Sequence, residues 1–197
     1  MKTLFILIIS SLLTACLSLA NASSINDHSG KTINLTVINN KKQAEYIIEE
    51  LRKKIPYNFP DGCFAKAHEM VISLEQEGII SGKYFIEGQI FYKSSWGESF
   101  WLYHVAPVIL INEDGLEVPY IIDFFLSDKI LPLDEWKLIV SKDKRTKITD
   151  SYFMNRYTYD PTEKEQELNE YRPEDIYDMN LVFKQIQKRL DGIQQGK

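Results

Sequence analysis

Asp61-Gly62-Cys63-Phe64-Ala65-Lys66-Ala67-His68-Glu69-Met70-Val71-Ile72-Ser73-Leu74-Glu75-Gln76-Glu77-Gly78 is the stretch on which the reading of this chain turns. Cys63, Ala67, Met70, Val71 and Leu74 recur at three- and four-residue steps, the spacing that gathers side chains on one face of a helix. Pro56 and Pro60 interrupt the chain upstream, and Glu77-Gly78 closes the run with a C-terminal glycine. The spacing therefore predicts a buried helix with Cys63 in its first turn. Unpaired N–H groups and the helix dipole favour negative charge at that end, so a thiolate there is stabilised and oxyanion donors are at hand.

On the N-terminal side, residues 23–40 read as an irregular lead-in followed by a short strand at Ile33–Ile38. Ala44, Ile47, Ile48 and Leu51 then predict a helix over Lys42–Lys54. On the C-terminal side, aromatic and β-branched residues predict strands at Lys83–Tyr92, Phe100–Ile111 and Leu116–Phe125, with Lys93–Ser99 as a loop. Pro107 and Pro119 cannot donate ladder hydrogen bonds, which suggests edge positions or bulges. Tyr152-Phe153-Met154 reads as a further strand and Asp160–Tyr171 as a charged, solvated loop. Pro173 opens a last helix whose Ile176, Met179, Phe183, Ile186 and Leu190 form an apolar stripe. The expected architecture is one α+β domain over 23–197, with the cysteine helix packed on an antiparallel sheet.

Lys2 followed by the apolar run Leu4–Leu13 reads as a signal peptide rather than a membrane span. Ala20-Asn21-Ala22 places the expected cleavage after Ala22, so residues 1–22 are expected to direct export to a secreted or periplasmic location. Leu13-Thr14-Ala15-Cys16 resembles a lipobox and gives the alternative, a lipid anchor at Cys16. Either route leaves Cys63 as the single free thiol of a chain with 2 cysteines. A lone thiol in an oxidising compartment points to chemistry, although a cysteine can also serve as a small buried apolar residue. With 197 residues, 44% hydrophobic and a net charge of -5, the chain supports one sizeable core and offers no basic field for nucleic acid.

Thiol catalysis needs a base and a group that orients the base. A hairpin centred between Glu113 and Asp114 would make His104 and Asp123 directly opposed residues on one face of the sheet, with Cβ atoms about 5 Å apart. Taken singly, each also fits a structural role. Asp128 and Asp134 are rival third members beyond the strand. His28 falls in the lead-in with no evident partner, and His68 lies nearly opposite Cys63 around the helix, suited to packing or hydrogen bonding. The 3 histidines are scattered, so no metal site is expected, and no phosphate loop or G-x-S-x-G elbow is present. No cofactor is expected.

At these residues the sequence resembles the bacterial protein-glutaminase (protein deamidase) family. Asp61-Gly62-Cys63-Phe64-Ala65-Lys66-Ala67-His68-Glu69-Met70 resembles its D-G-C-[YF]-A-[RK]-A-H-x-M block, Trp101-Leu102-Tyr103-His104-Val105-Ala106 its W-x-Y-H-V-A block, and Ile121-Ile122-Asp123 its I-I-D block. The resemblance covers roughly residues 40–137 and implies a transglutaminase/papain-like core. It implies Cys63 as nucleophile, His104 as base and acid, and Asp123 as the residue orienting His104. Trp101 and Tyr103 could wall the thiol site and bind substrate, or simply pack in their strand. The implied partners are protein substrates with exposed glutamine. The same triad would also suit a transglutaminase, a cysteine peptidase, or an inactive binding module that keeps the fold. Phe124-Phe125 departs from the Pro-Ser that usually follows the aspartate in the family.

Overall fold

The computed structural model describes residues 21–53 and 59–195. The apolar run Leu4–Leu13 and the alternative anchor Cys16 lie outside the described residues. Among those described, no helix is long and apolar enough to cross a membrane.

Where an irregular lead-in was expected, β1 (Asn21–Asn26) pairs antiparallel with β2 (Thr32–Ile38). Its Asn and Ser residues have little strand propensity of their own. The strand exists because β2 offers an edge, and Asp27 secures the connection by accepting from the N–H groups of Ser29 and Lys31, both at 2.9 Å. His28 is correspondingly not without partners: its N–H donates to the Phe153 carbonyl at 3.0 Å and its ring lies on Tyr152.

Asn40 caps α1 (Lys41–Arg52) by accepting from the Gln43 N–H at 3.0 Å, and Ala44, Ile48 and Leu51 face inward. The cysteine helix is α2 (Cys63–Gln76). It ends in a Schellman motif, with Ile79 N–H on the Leu74 carbonyl and Gly78 N–H on the Glu75 carbonyl, both at 2.9 Å. Two long strands follow, β3 (Gly82–Ser94) and β4 (Gly97–Glu113), joined by a tight turn rather than the expected loop.

Central to the sheet is β4. Val108 pairs with Gly82 of β3 on one side and with Ile121 of β5 (Leu116–Ile121) on the other. Past the end of β3, parallel pairing of Val37 and Ile38 with Leu110 and Ile111 continues that side with β2. Two-residue β6 (Leu131–Pro132) covers part of β5, leads into α3 (Leu133–Val140), and β7 (Lys147–Met154) pairs with β3. Pro107 therefore occupies a central strand, not an edge or bulge. The strand tolerates it because its carbonyl side faces the point where β5 has ended, and that carbonyl still accepts from the Ile122 N–H at 3.0 Å.

Ile109 and Ile111 join Met70 and Leu74 of α2 and Ala44, Ile48 and Leu51 of α1 in one apolar cluster. From the opposite face, Ala106, Val108 and Leu110 pack with Trp136 and Val140 of α3. Alternation along one strand thus feeds two cores, and the sheet is covered on both sides. The last helix, α4 (Pro173–Gln195), lies on α2 through Met179, which clusters with Ala65 and Tyr159. The result is the expected α+β arrangement, with the cysteine helix on a mainly antiparallel sheet. The Asp160–Tyr171 segment is less solvated than expected: Glu163 is buried and accepts from the Tyr159 N–H at 2.7 Å, and Arg172 pairs with it.

Candidate active site

Cys63 is the first residue of α2 and remains partly accessible. Gly62 is the helix N-cap and contributes no side-chain hydrogen bond. The first intrahelical bond runs from the Lys66 N–H to the Gly62 carbonyl at 3.0 Å, so the N–H groups of Cys63, Phe64 and Ala65 precede the helical ladder. A serine, threonine or aspartate at the cap would consume one of those donors. Glycine leaves them for an anion at the sulfur or beside it.

Facing this helix end, His104 Nε2 lies 2.7 Å from Asp123 Oδ2, and both residues are buried. The expected direct opposition of the two is not how they meet. The hairpin turns on Asp114-Gly115, where φ is 51° and 91°, and Glu113 pairs with Leu116. This two-residue turn of the primed type matches strand twist and moves the register away from the assumed one. The ladder then stops at Val108 opposite Ile121. Beyond it the chain peels off into a turn in which Ser127 N–H bonds the Asp123 carbonyl at 3.0 Å. Asp123 reaches His104 from that turn, not from a strand.

Asp123 is fully engaged. Oδ2 also accepts from the Trp136 indole N–H at 2.8 Å, and Oδ1 from the N–H groups of Phe125 and Leu126 at 3.2 and 3.3 Å. Burial opposes charge on Asp123, but the His104 cation and these donors outweigh it and hold the carboxyl below 3.8. Burial likewise works against the His104 imidazolium. The charge and hydrogen bond of Asp123, followed by those of Cys63, overcome it and raise the imidazole to about 10. With Nε2 committed to Asp123, Nδ1 is the ring nitrogen left for the thiol, and it is buried without another partner. Cys63, His104 and Asp123 line one pocket with Lys66, Met70, Ile122 and Phe125.

The family described as glutaminase matches residues 35–140, a span that contains all three of these side chains. The chain belongs to that family. Solved structures with the same fold include protein-glutaminase from Chryseobacterium proteolyticum, determined by NMR, at 21% identity and TM-score 0.58 over 64% of this chain and 78% of that one. A crystal structure of protein-glutaminase matches at 20% identity and TM-score 0.64 over 75% of this chain and 87% of that one. Its pro-protein form matches 62% of this chain and 50% of its own at TM-score 0.57 and 21% identity. No curated protein matches the chain.

Within this glutaminase, two residues that serve the site escaped sequence reasoning. Trp136 is wholly buried, and its N–H holds Asp123 while its ring stacks 5.6 Å from His104. Trp101 stacks on His104 at 4.8 Å and 12°. The two indole faces lie within the range over which a ring stabilises a cation, which favours the charged imidazole. Trp136 was hidden because α3 has only eight residues, too few for periodicity to announce a buried face. Lys66 is the second, and its place three residues after Cys63, on the same helix face, was the available signal. Replacing Trp136 with phenylalanine deletes the donor and leaves a small cavity in place of part of the indole. Urea denaturation should show a loss of about 1–3 kcal/mol, the range for a buried hydrogen bond to a charged group, with a parallel fall in kcat.

Trp101 also contacts Tyr92 and Phe125, and Tyr103 packs with Phe64 and Cys63 against one apolar cluster, while neither is among the residues lining the thiol pocket. The Phe124-Phe125 departure has a structural role: Phe124 joins the core under Arg52, and Phe125 lines the pocket. The two rival third members and His68 lie away from it. Asp128 pairs with Arg52 at the surface, and Asp134 is exposed in the first turn of α3. His68 is buried, with Nδ1 2.7 Å from the Lys83 amine, and burial lowers it to about 2. Among the described residues no cluster of three or more His, Cys, Asp or Glu side chains could hold a metal ion. A wider cleft lies elsewhere, between β2 and residues 155–169, and its Lys31, Arg156 and Lys164 are already paired with acidic residues.

Proposed function

We propose that this glutaminase deamidates glutamine side chains of proteins, with Cys63 as nucleophile, His104 as acid and base, and Asp123 as the residue that orients and charges His104. The observation that carries the reading is the buried His104–Asp123 pair, at 2.7 Å, in one pocket with a cysteine at a helix start. Membership of the glutaminase family and the likeness to protein-glutaminase structures support the substrate class.

In the first half-reaction the Cys63 sulfur attacks the side-chain carboxamide carbon, a C–S bond forms, and the carbonyl oxygen takes the negative charge. The N–H groups at the start of α2 are the donors for that oxyanion. Collapse breaks the C–N bond as His104 gives its proton to nitrogen, and ammonia leaves. In the second half-reaction His104 takes a proton from water, the hydroxide attacks the thioester, and the C–S bond breaks. Glutamate remains on the substrate. Trp101, stacked on His104, and Tyr103, near Phe64, bind the aliphatic stem of the glutamine and exclude bulk water.

The chain is read as exported by residues 1–22, to a secreted or periplasmic location. N-terminal sequencing of exported protein would return Ser23 for that route and acylated Cys16 for the lipoprotein alternative. To test the activity, the protein is incubated with casein and with free glutamine, and ammonia and intact casein mass are recorded beside Cys63→Ala. Ammonia from casein, with a gain of about one mass unit per event and no shorter chains, is expected from the parent protein alone. No ammonia from the parent would remove the proposal. Crosslinked casein or new termini would replace it with transamidation or proteolysis.

A further inference from the structure

Lys66 follows Cys63 by three residues on α2 and lines the same pocket as Cys63, His104 and Asp123. It is only 5% exposed. Its ammonium donates to the Phe59 carbonyl and lies 5.7 Å from the Phe125 ring centre. Among the described residues it has no ion pair. A buried ammonium without a carboxylate is expensive, and such groups are kept where their charge is used.

The acidic neighbours are already committed. Asp123 has both oxygens occupied by His104, Trp136 and two backbone N–H groups. Asp61 pairs with Arg189 at 3.0 Å on the surface. Among the described residues lining the pocket, the remaining group that acquires a negative charge is the Cys63 sulfur, which His104 also serves.

We infer that Lys66 is a positioning residue for the nucleophile: its ammonium offsets negative charge on Cys63 Sγ, adding a second cation to that of His104. This rests on Cys63 being the nucleophile. Burial lowers Lys66 to about 8, against the opposing pull of Cys63, Asp123 and Asp61, so the lysine charge is lost in mildly alkaline solution while His104 keeps its own. An arginine would keep its charge throughout.

Local charge at a thiol can be read from how much faster an anionic reagent alkylates it relative to a neutral one of the same size. Iodoacetate and iodoacetamide are reacted with the full chain at pH 7 and pH 9, and modification of Cys63 is followed by peptide mass. Lys66→Met should lower the iodoacetate-to-iodoacetamide rate ratio at pH 7 by about fivefold to tenfold, the scale expected of a close, partly screened unit charge. Lys66→Arg should retain the parent ratio at pH 7 and hold it at pH 9, where the parent ratio falls. A Lys66→Met protein that melts with the parent and keeps its ratio within about twofold would overturn the inference. Should Lys66→Met fail to fold, equal ratios in Lys66→Arg and parent at pH 9 would overturn it instead. Failure of casein deamidation is a separate result, since the ratio is read without substrate.

Discussion

Asp123→Asn is expected to lower kcat for ammonia release by about 10⁴-fold, the scale on which an amide in place of an orienting carboxylate disables a comparable histidine. The reason is that Asp123 supplies the charge that keeps a buried His104 protonated. An asparagine cannot do so, and burial would then favour the neutral ring. Stability responds with a definite sign. His104 is raised from 6.5 to about 10, so its contribution is complete below 6.5 and is lost as pH climbs through 10. Asp123 is lowered from 3.8, so its contribution is present above 3.8 and is lost as pH falls through the lowered value. Denaturation midpoints of the parent should therefore decline between pH 6.5 and 10 on this account. In Asp123→Asn that decline should disappear. A variant that keeps both the parent's kcat and its pH slope would show that the pair is idle.

Gly62→Ala is expected to destabilise the protein by about 2–5 kcal/mol and to slow Cys63 chemistry as well. Gly62 has φ of 76°, a left-handed conformation that costs other residues roughly 1–2 kcal/mol. A Cβ there would lie 2.8 Å from Val182 Cγ1 and 3.1 Å from Ile186 Cδ1, and overpacking of this kind costs about 1–3 kcal/mol. The burden falls on the contact between α4 and the residue immediately before Cys63, so relief of the clash shifts the helix start that carries the sulfur. Guanidinium denaturation measures the first effect, and the iodoacetamide rate at Cys63 the second. An unchanged midpoint would mean that α4 yields freely and does not fix the cysteine.

The helix from Cys63 was legible because local signals agree over its length: prolines before it, a three-and-four apolar rhythm within it and a glycine after it. The structure ends it in the Schellman motif that Gly78 announces. The β4–β5 hairpin was legible as an element and not in register. Asp114-Gly115 is a strong two-residue turn signal, and centring the turn one residue earlier gave the right partners for the wrong reason. With the observed register continued, Phe125 rather than Asp123 would oppose His104. What brings Asp123 to the imidazole is the end of the ladder, where Pro107 offers no N–H and the chain turns away. β1 was missed for a related cause, since it owes its place to the edge it covers rather than to its own propensity, and α3 was missed for its shortness.

By itself, the amino-acid sequence determined an α+β domain, a cysteine at a helix start, and one histidine and one aspartate suited to serve it, because residue type and short-range spacing carry that information. Only the tertiary structure decided that Asp123 arrives from a turn, that two indoles stack on His104, that Lys66 is buried in the pocket of Cys63, and that Gly62 lies against α4. Those facts depend on contacts between segments far apart in the chain, where geometry and exclusion of water, not local pattern, set which groups meet and how strongly their charges interact.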